Sequence, residues 1–297
     1  MKIVIAGGTG YLGELLTEYY KKEKENQIYI LSRKQKLNVD NVYYLQWDGV
    51  SKGYWTSILN HADVLINLTG KSVNCRYTQK NKAAIYNSRL KSTALLCEVV
   101  QDLAFPPKVF IQSSSATIYR YSEDKIMTES KGEIGIDFSM DVCKKWEEVF
   151  NSYHLPKTKK IITRTSIVLG NNGGAFPIMK QMTKLGLGGK QGKGNQYISW
   201  VTEEDYIRAI DFLIYQESGV YNVCVPNPIQ NKKFQKELQC KLKIPFGFSS
   251  PSWLLKIGAQ LIGTETELLL KSRNVYPEKL LKLGFTYTTK TFQELKL

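Results

Sequence analysis

Histidine is nearly absent from this chain of 297 residues, which contains only His61 and His154. The five cysteines (Cys75, Cys97, Cys143, Cys224, Cys240) are dispersed, and no Cys-x-x-Cys pair occurs. Zinc and related ions are held by clusters of these two residue types, so no metal site is expected. An odd number of scattered cysteines also argues against a disulfide scaffold and fits a reducing cytoplasm. The chain lacks any apolar run of about 18 residues, the minimum for a membrane span. Its most apolar late tract, 253–262, holds Lys256 and Gln260 and reads as a packed helix. The start lacks the long apolar region and cleavage site of an export signal, because Met1-Lys2 runs straight into the strand-like Ile3–Ala6. There is no internal repeat and no low-complexity segment.

Acidic residues are also few: 27 Asp and Glu against 41 Lys and Arg, a net charge of +14. Such a surface attracts anions. The lysines are nevertheless scattered, as at Lys21, Lys22 and Lys24 or at Lys157, Lys159 and Lys160. No stripe interleaves aromatics with arginines, so nucleic-acid binding is not expected and the charge reads as solvated surface. What the chain does have is ordinary globular composition, 42% apolar and 23% charged, at a length that supports a large core.

Short apolar runs alternate with helical patterns. Strands are expected at 2–6, 28–31, 42–47, 64–68, 109–112 and 161–169, with helices at 11–24, 80–101 and 138–152. Alternation of this kind builds βαβ units, and right-handed crossovers then give an α/β fold with a Rossmann-type doubly wound parallel sheet. After Gly170 the texture changes to a glycine-rich stretch (185–196), a helix near 203–215 and a strand at 220–223. The expected division is a core of 1–170 and a mixed region of 171–297 that completes the sheet and forms a smaller, substrate-side lobe.

Residues 7–13 read GGTGYLG, directly after the first strand and at the head of an amphipathic helix. Gly7 permits the tight turn, Gly10 lets backbone approach a pyrophosphate, and Gly13 lets the helix lie close to the sheet. The helix N-terminus offers free N–H groups and partial positive charge to phosphates. This places Thr9, Tyr11 and Leu12 beside the same ligand. The second strand ends in Ser32-Arg33-Lys34, where an NAD site carries Asp or Glu for the ribose 2′-OH. A guanidinium there grips a 2′-phosphate, so NADP(H) is expected over NAD(H); the alternative is that Arg33 and Lys34 are solvated loop charges. Asp48 reads equally as an adenine acceptor or as a turn residue before Gly49. Leu68, Thr69 and Gly70 end the fourth strand, where small residues let the backbone pass under the cofactor.

These features resemble the extended short-chain dehydrogenases, the NAD(P)-dependent epimerase and dehydratase group. The nearer resemblance is to the branch labelled epimerase family protein. It is carried nearly end to end by GGTGYLG (7–13), INLTGKSVNCRYT (66–78), NSRLKST (87–93), SSSATIY (113–119), DFSMDVCKKWE (137–147), GGAFPIMK (173–180), LGLGGKQGKGNQYISWVTEED (185–205) and a C-terminal block from Pro251 through VYPEKLLKLGF (275–285). The resemblance implies a nicotinamide cofactor touching Arg89 and Ser113, a small-molecule substrate, and a monomer or a homodimer formed through the helices flanking the Ser strand.

It also implies a catalytic Ser, which aligns with Ser115, and a Tyr-x-x-x-Lys on the following helix, where Lys lowers the Tyr pKa so that the phenol exchanges a proton. That pair is missing: the helix reads Phe138, Ser139, Met140, Asp141, Val142, Cys143, Lys144. Tyr121 through Lys125 spells the pattern only in a polar loop. Tyr119, inside the Ser motif, is therefore the candidate acid. Arg76, Ser114, Glu129 and Arg164 are candidate substrate contacts. For Glu129 the alternative is an exposed loop carboxylate, and for Arg164, buried on a strand, the anionic partner is either substrate or a carboxylate. Trp200 reads as core. Asp205 fits the family pattern, but Thr202 stands where the family commonly has His. A non-catalytic NADP(H)-binding sensor or assembly factor is the competing function.

Overall fold

The structure, a computed structural model, describes residues 1–253, 255, 265 and 270–297. Its centre is an all-parallel sheet of seven strands: β1 (Lys2–Ala6), β2 (Gln27–Ser32), β3 (Val42–Gln46), β4 (Val64–Asn67), β5 (Val109–Ser115), β6 (Lys159–Thr165) and, later in the chain, β10 (Gly219–Val223). The spatial order is β10-β6-β5-β4-β1-β2-β3. The order reverses between β1 and β4, which opens the crevice at their carboxyl ends where doubly wound sheets bind ligands. Strand β1 explains why its sequence has no polar alternation: Ile3, Val4, Ile5 and Ala6 are fully buried, covered on both faces. Each of the larger side chains, Ile3, Val4 and Ile5, contributes about 1.5–3 kcal/mol on burial.

Helices α1 (Tyr11–Tyr20) and α6 (Glu203–Ile214) cover one face; α3 (Gln79–Asp102) and α4 (Phe138–Ser152) cover the other. α1 stops at Tyr20, short of the expected 24, because the next residues, Lys21 to Glu25, offer nothing to bury and are exposed. α3 begins at Thr78, whose side chain accepts from the Asn81 N–H at 3.3 Å. One turn of helix, α2 (Trp55–Ile58), and two further helices, α5 (Phe176–Lys184) and α7 (Asn231–Leu242), were not legible: α2 is too short for periodicity, and α7 is mostly polar. A last short helix, α8 (Glu278–Lys282), follows the C-terminal turn.

The expected strand 161–169 is two strands. After β6 the chain breaks at Ser166, and β7 (Ile167–Leu169) leaves the main sheet to pair with β9 (Trp200–Thr202). The run is uniformly β-prone, so only the change of partner reveals the break. β8 (Tyr197–Ile198) pairs antiparallel with β11 (Ile229–Gln230). β10 completes the main sheet beside β6. The tract 253–262, read as a packed helix, lies outside the described residues apart from Trp253 and Leu255. No helix among the described residues is long and apolar enough to cross a membrane, and among them no group of His, Cys, Asp and Glu could hold a metal ion.

Candidate active site

The glycine turn is built by close packing. Gly7 has φ +77° and donates its N–H to Leu31 O at 2.9 Å; a Cβ there would meet the Leu68 and Thr69 backbone at 3.1 Å. The turn therefore abuts the end of β4, bringing 7–13 and 68–70 to one crevice. Gly13 sits on Gly8, and a Cβ would lie 2.5 Å from the Gly8 Cα. Gly10 is different: a Cβ there would meet only Gly7 O, at 3.5 Å. The N-cap Gly10 has no side chain to offer, so the first N–H groups of α1 receive no side-chain cap. Thr9 is half-buried, and Leu12 packs partly into the core. The Tyr11 ring packs against Gly173, and its hydroxyl donates to Glu203 at 2.8 Å, which with burial raises its pKa.

At the end of β2, Arg33 and Lys34 are exposed, and the Ser32 hydroxyl donates to Lys34 O. Arg33, Trp47 and Asp48 line one end of an open groove of about 950 Å³ that continues along the β3 edge to Tyr43 and Trp55. This groove is far larger than the cavity at Ser115 and separate from it: it runs along the edge strand β3, while Ser115 ends β5 inside the sheet. Asp48 accepts from the Val50 and Ser51 N–H groups, both at 2.8 Å, and these bonds hold its carboxyl below the usual range. The turn role is thus realised in the geometry.

Beneath Leu68, Thr69 and Gly70 lies a buried polar network that sequence reading missed. The Asn67 amide donates to Thr93 at 3.0 Å and Gln112 at 2.9 Å, while its oxygen accepts from the Thr69 hydroxyl at 2.6 Å. Trp146 donates to Thr93 at 2.8 Å. A polar strand end, Asn67 opposite Gln112 in register, was the available signal. The Arg89 guanidinium lies directly under Gly70, whose Cβ would stand 3.0 Å from it. Arg89 donates to the Lys71 and Ile85 carbonyls (3.0 and 3.3 Å) and covers the Trp146 ring at 5.1 Å. Burial lowers its pKa, and among the described residues no carboxylate pairs with it.

The serines at the end of β5 divide by direction. Ser113 is half-buried and pairs in register with Thr163. Ser114 is buried and donates to Glu147 at 2.6 Å. Ser115 donates to Thr117 at 3.0 Å, with Thr165 O at 3.4 Å, and lines a pocket of about 150 Å³ with Thr117, Ser166, Tyr197, Lys271 and Arg273.

Several expected contacts resolve differently. Arg164 is paired twice to Glu147 (2.9 and 2.8 Å) and donates to the Tyr119 hydroxyl at 2.9 Å. Burial opposes its charge, but Glu147 outweighs it and holds the guanidinium above its ordinary pKa. Its anionic partner is the carboxylate, so neither Arg164 nor Ser114 is placed to bind substrate. Tyr119 is fully buried; its hydroxyl accepts from Arg164 and donates to Asn222 at 2.8 Å. Burial raises its pKa despite the adjacent Arg164. Glu129 is half-buried rather than an exposed loop carboxylate, and it accepts from the Asn222 N–H at 2.8 Å, tying loop to β10. Arg76 pairs with Glu265 at 3.2 Å and does not line the Ser115 pocket. Lys125 is paired with Glu133, so the Tyr121–Lys125 spelling is a surface loop. On α4, Cys143 is buried where a catalytic lysine was sought; burial pushes its thiol up to about 12 despite Arg89, Arg273 and Arg164 nearby. Trp200 is core, edge-on to Phe292. Asp205 is fully buried and accepts from the Thr288 N–H at 2.9 Å and the Thr289 N–H at 3.1 Å, anchoring the C-terminal segment.

Comparison with known proteins agrees with this geometry. Residues 3–139 match the model of the NAD dependent epimerase/dehydratase family, and residues 250–295 match a domain of unknown function, DUF1731. The chain is 32% identical over 292 residues to the epimerase family protein YfhF of Bacillus subtilis, covering 97% of this chain and 94% of that one. It is 33% identical over 289 residues to the epimerase family protein SA0724 of Staphylococcus aureus, covering 96% and 94%. Among solved structures, the human epimerase family protein SDR39U1 with NADPH superposes with a TM-score of 0.86 at 25% identity, covering 99% of this chain and 97% of that one. UDP-glucuronic acid 4-epimerase of Bacillus cereus, at 15% identity and a TM-score of 0.77 over 97% and 95% of the two chains, shares the fold.

Proposed function

Since this chain belongs to the NAD-dependent epimerase/dehydratase family and to its epimerase family protein branch, we propose that it is an oxidoreductase or epimerase-like enzyme. It binds NADP(H) in preference to NAD(H) and acts on a small polar, sugar-like or anionic substrate. The observation that carries the reading is the pocket at the carboxyl end of β5, where Ser115 presents its hydroxyl one strand from the glycine turn's crevice. The residues fit the cofactor. α1 offers uncapped N–H groups to a pyrophosphate, and Gly10 leaves room for it. Arg33 and Lys34 suit a 2′-phosphate, and among the described residues no carboxylate pairs with the half-buried Arg89, which a bound anion would suit. The human relative solved with NADPH supports the same choice. When bound, the nicotinamide gives or takes the hydride. Ser115 holds the substrate oxygen, its hydroxyl turning from Thr117 and Thr165 O to do so.

Calorimetric titration with NADPH, NADP, NADH and NAD tests the cofactor assignment. Arg33→Ala is expected to weaken NADPH binding about 10- to 100-fold, towards the NADH level, through loss of charge-assisted phosphate bonds. Equal affinity for all four in the parent protein would sink the assignment. The absence of Tyr-x-x-x-Lys on α4 favours a second reading, a non-catalytic NADP(H)-binding sensor or assembly factor. Ser115→Ala separates the two: for an enzyme, kcat falls about 10²- to 10⁴-fold with cofactor affinity unchanged, whereas a sensor has no turnover to lose.

A further inference from the structure

We infer that this protein docks peripherally on anionic lipid surfaces, through the outer face of α5 and the loops beside it. Helix α5 is apolar on two faces. Phe176 and Thr183 are buried on one, with the half-buried Met179. Ile178, Met182 and Leu185, at i, i+4 and i+7, form a second stripe that faces solvent. Leu187, Phe246 and Phe248 extend it: a Cβ on Gly186 would lie 3.5 Å from the Phe246 ring and 3.9 Å from that of Phe248. All six residues are 40–66% exposed. Single exposed apolar residues are ordinary, but a gathered patch marks an interaction surface. The charge around this one has a single sign. No Asp or Glu occurs between Glu148 and Glu203 or between Glu237 and Glu265, so both contributing segments are free of acid. Lys184, Lys190 and Lys243 are exposed, and among the described residues none of them pairs with a carboxylate. The acids that bound these segments are engaged elsewhere, Glu203 with Tyr11 and Glu237 with Gln293.

This combination selects the occupant. Two copies meeting through the same face would bring like charges together. A peptide or helix docks in a groove, whereas none of the six residues lines the groove along β3 or the pocket at Ser115. Apolar tips among lysines on an open surface match an anionic bilayer. The tips enter the headgroup boundary, and each lysine near the negative surface adds about fivefold in affinity. The backbone holds the aromatic pair in place before any lipid arrives. The Phe248 N–H donates to Gly186 O at 2.7 Å, and the Gly189 N–H to Phe248 O at 3.2 Å. The Ser250 N–H donates to Lys190 O and the Gly192 N–H to Ser250 O, both at 2.9 Å. The glycine-rich stretch permits this contact, since a Cβ on Gly189 would fall 2.3 Å from Phe248 O. Such prior ordering reduces the entropy lost on docking.

The test sediments the full-length protein with vesicles of phosphatidylcholine alone, or of phosphatidylcholine with phosphatidylglycerol at about one part in three. Binding to the anionic vesicles is expected to be at least about tenfold tighter and to weaken as salt rises from roughly 0.05 to 0.15 M. Phe246→Ser combined with Phe248→Ser should lower it at least about tenfold, through lost apolar insertion. Lys184→Gln combined with Lys190→Gln should lower it about 10- to 30-fold. Circular dichroism checks that each variant folds. If the aromatic pair does not, Ile178→Ser with Leu185→Ser, on the exposed stripe of α5, gives the same readout. No binding to anionic vesicles, equal binding to both kinds, or full binding by the folded apolar variants would each overturn the inference. The last result would reduce it to general attraction by the net charge of +14. Self-association that the aromatic substitutions abolish, without vesicle binding, would overturn it too and assign the face to a second copy.

Discussion

Glu147→Ala is expected to lower the unfolding free energy by roughly 3–5 kcal/mol, the cost of leaving a buried charge without its partner. The Arg164 side chain is 12% exposed and that of Glu147 8%, and the two oxygens of Glu147 accept from the guanidinium and from Ser114. Arg164 passes the network on to Tyr119, and Tyr119 passes it to Asn222 on β10. Removing Glu147 therefore strands a guanidinium among β5, β6 and α4, where water cannot replace the carboxylate. Because Ser114 precedes Ser115 on the same strand, the proposed site at Ser115 should loosen as well. Chemical denaturation followed by circular dichroism measures the effect. A loss below about 1 kcal/mol, the size of an exposed pair, would mean that Arg164 finds water or another acceptor.

The glycine turn yields a pair of substitutions with opposite signatures. Gly13→Val should abolish measurable NADPH binding and destabilise the protein together, since its Cβ would fall 2.5 Å from Gly8 Cα and 2.6 Å from Gly8 O. Those are backbone atoms, so α1 must move off the turn. Gly10→Ala meets only Gly7 O at 3.5 Å, and Gly10 has φ −85°, which any residue adopts. Its stability should stay within about 0.5 kcal/mol of the parent, while NADPH affinity falls about tenfold or more, because the methyl group occupies the approach of the pyrophosphate. Thermal unfolding and NADPH titration of both variants check this. Unchanged NADPH affinity in Gly10→Ala would remove the pyrophosphate from this turn.

Much of this was readable in the chain because it depends on neighbours in sequence. The unbroken apolar run of β1 requires burial on both faces, GGTGYLG requires a strand–turn–helix junction, and the apolar spacing on α4 locates that helix to its observed ends. Ser115 could be placed at a strand end for the same reason. The misreadings share a different cause. Arg164 showed that a buried guanidinium needs an anion, but its partner, Glu147, lies on a different element, and nothing local distinguishes a carboxylate from a substrate. Tyr119 carries the right chemistry, but whether a phenol faces a pocket or a core depends on Arg164 and Asn222 packing around it. The strand break at Ser166 depends on β9, not on the β-prone run that contains it.

The same division separates cofactor from substrate. The proposed cofactor half of the site is made of consecutive residues with fixed backbone demands, so the sequence alone determined its strand–turn–helix geometry. The pocket is assembled from β5, β8 and the segment at 271–273, which lines it beside Ser115 where hydrogen bonds with Tyr197 pin that segment. Steric limits on the backbone act between adjacent residues and leave a local pattern, whereas charge pairing and burial act through space and leave none until the chain has folded.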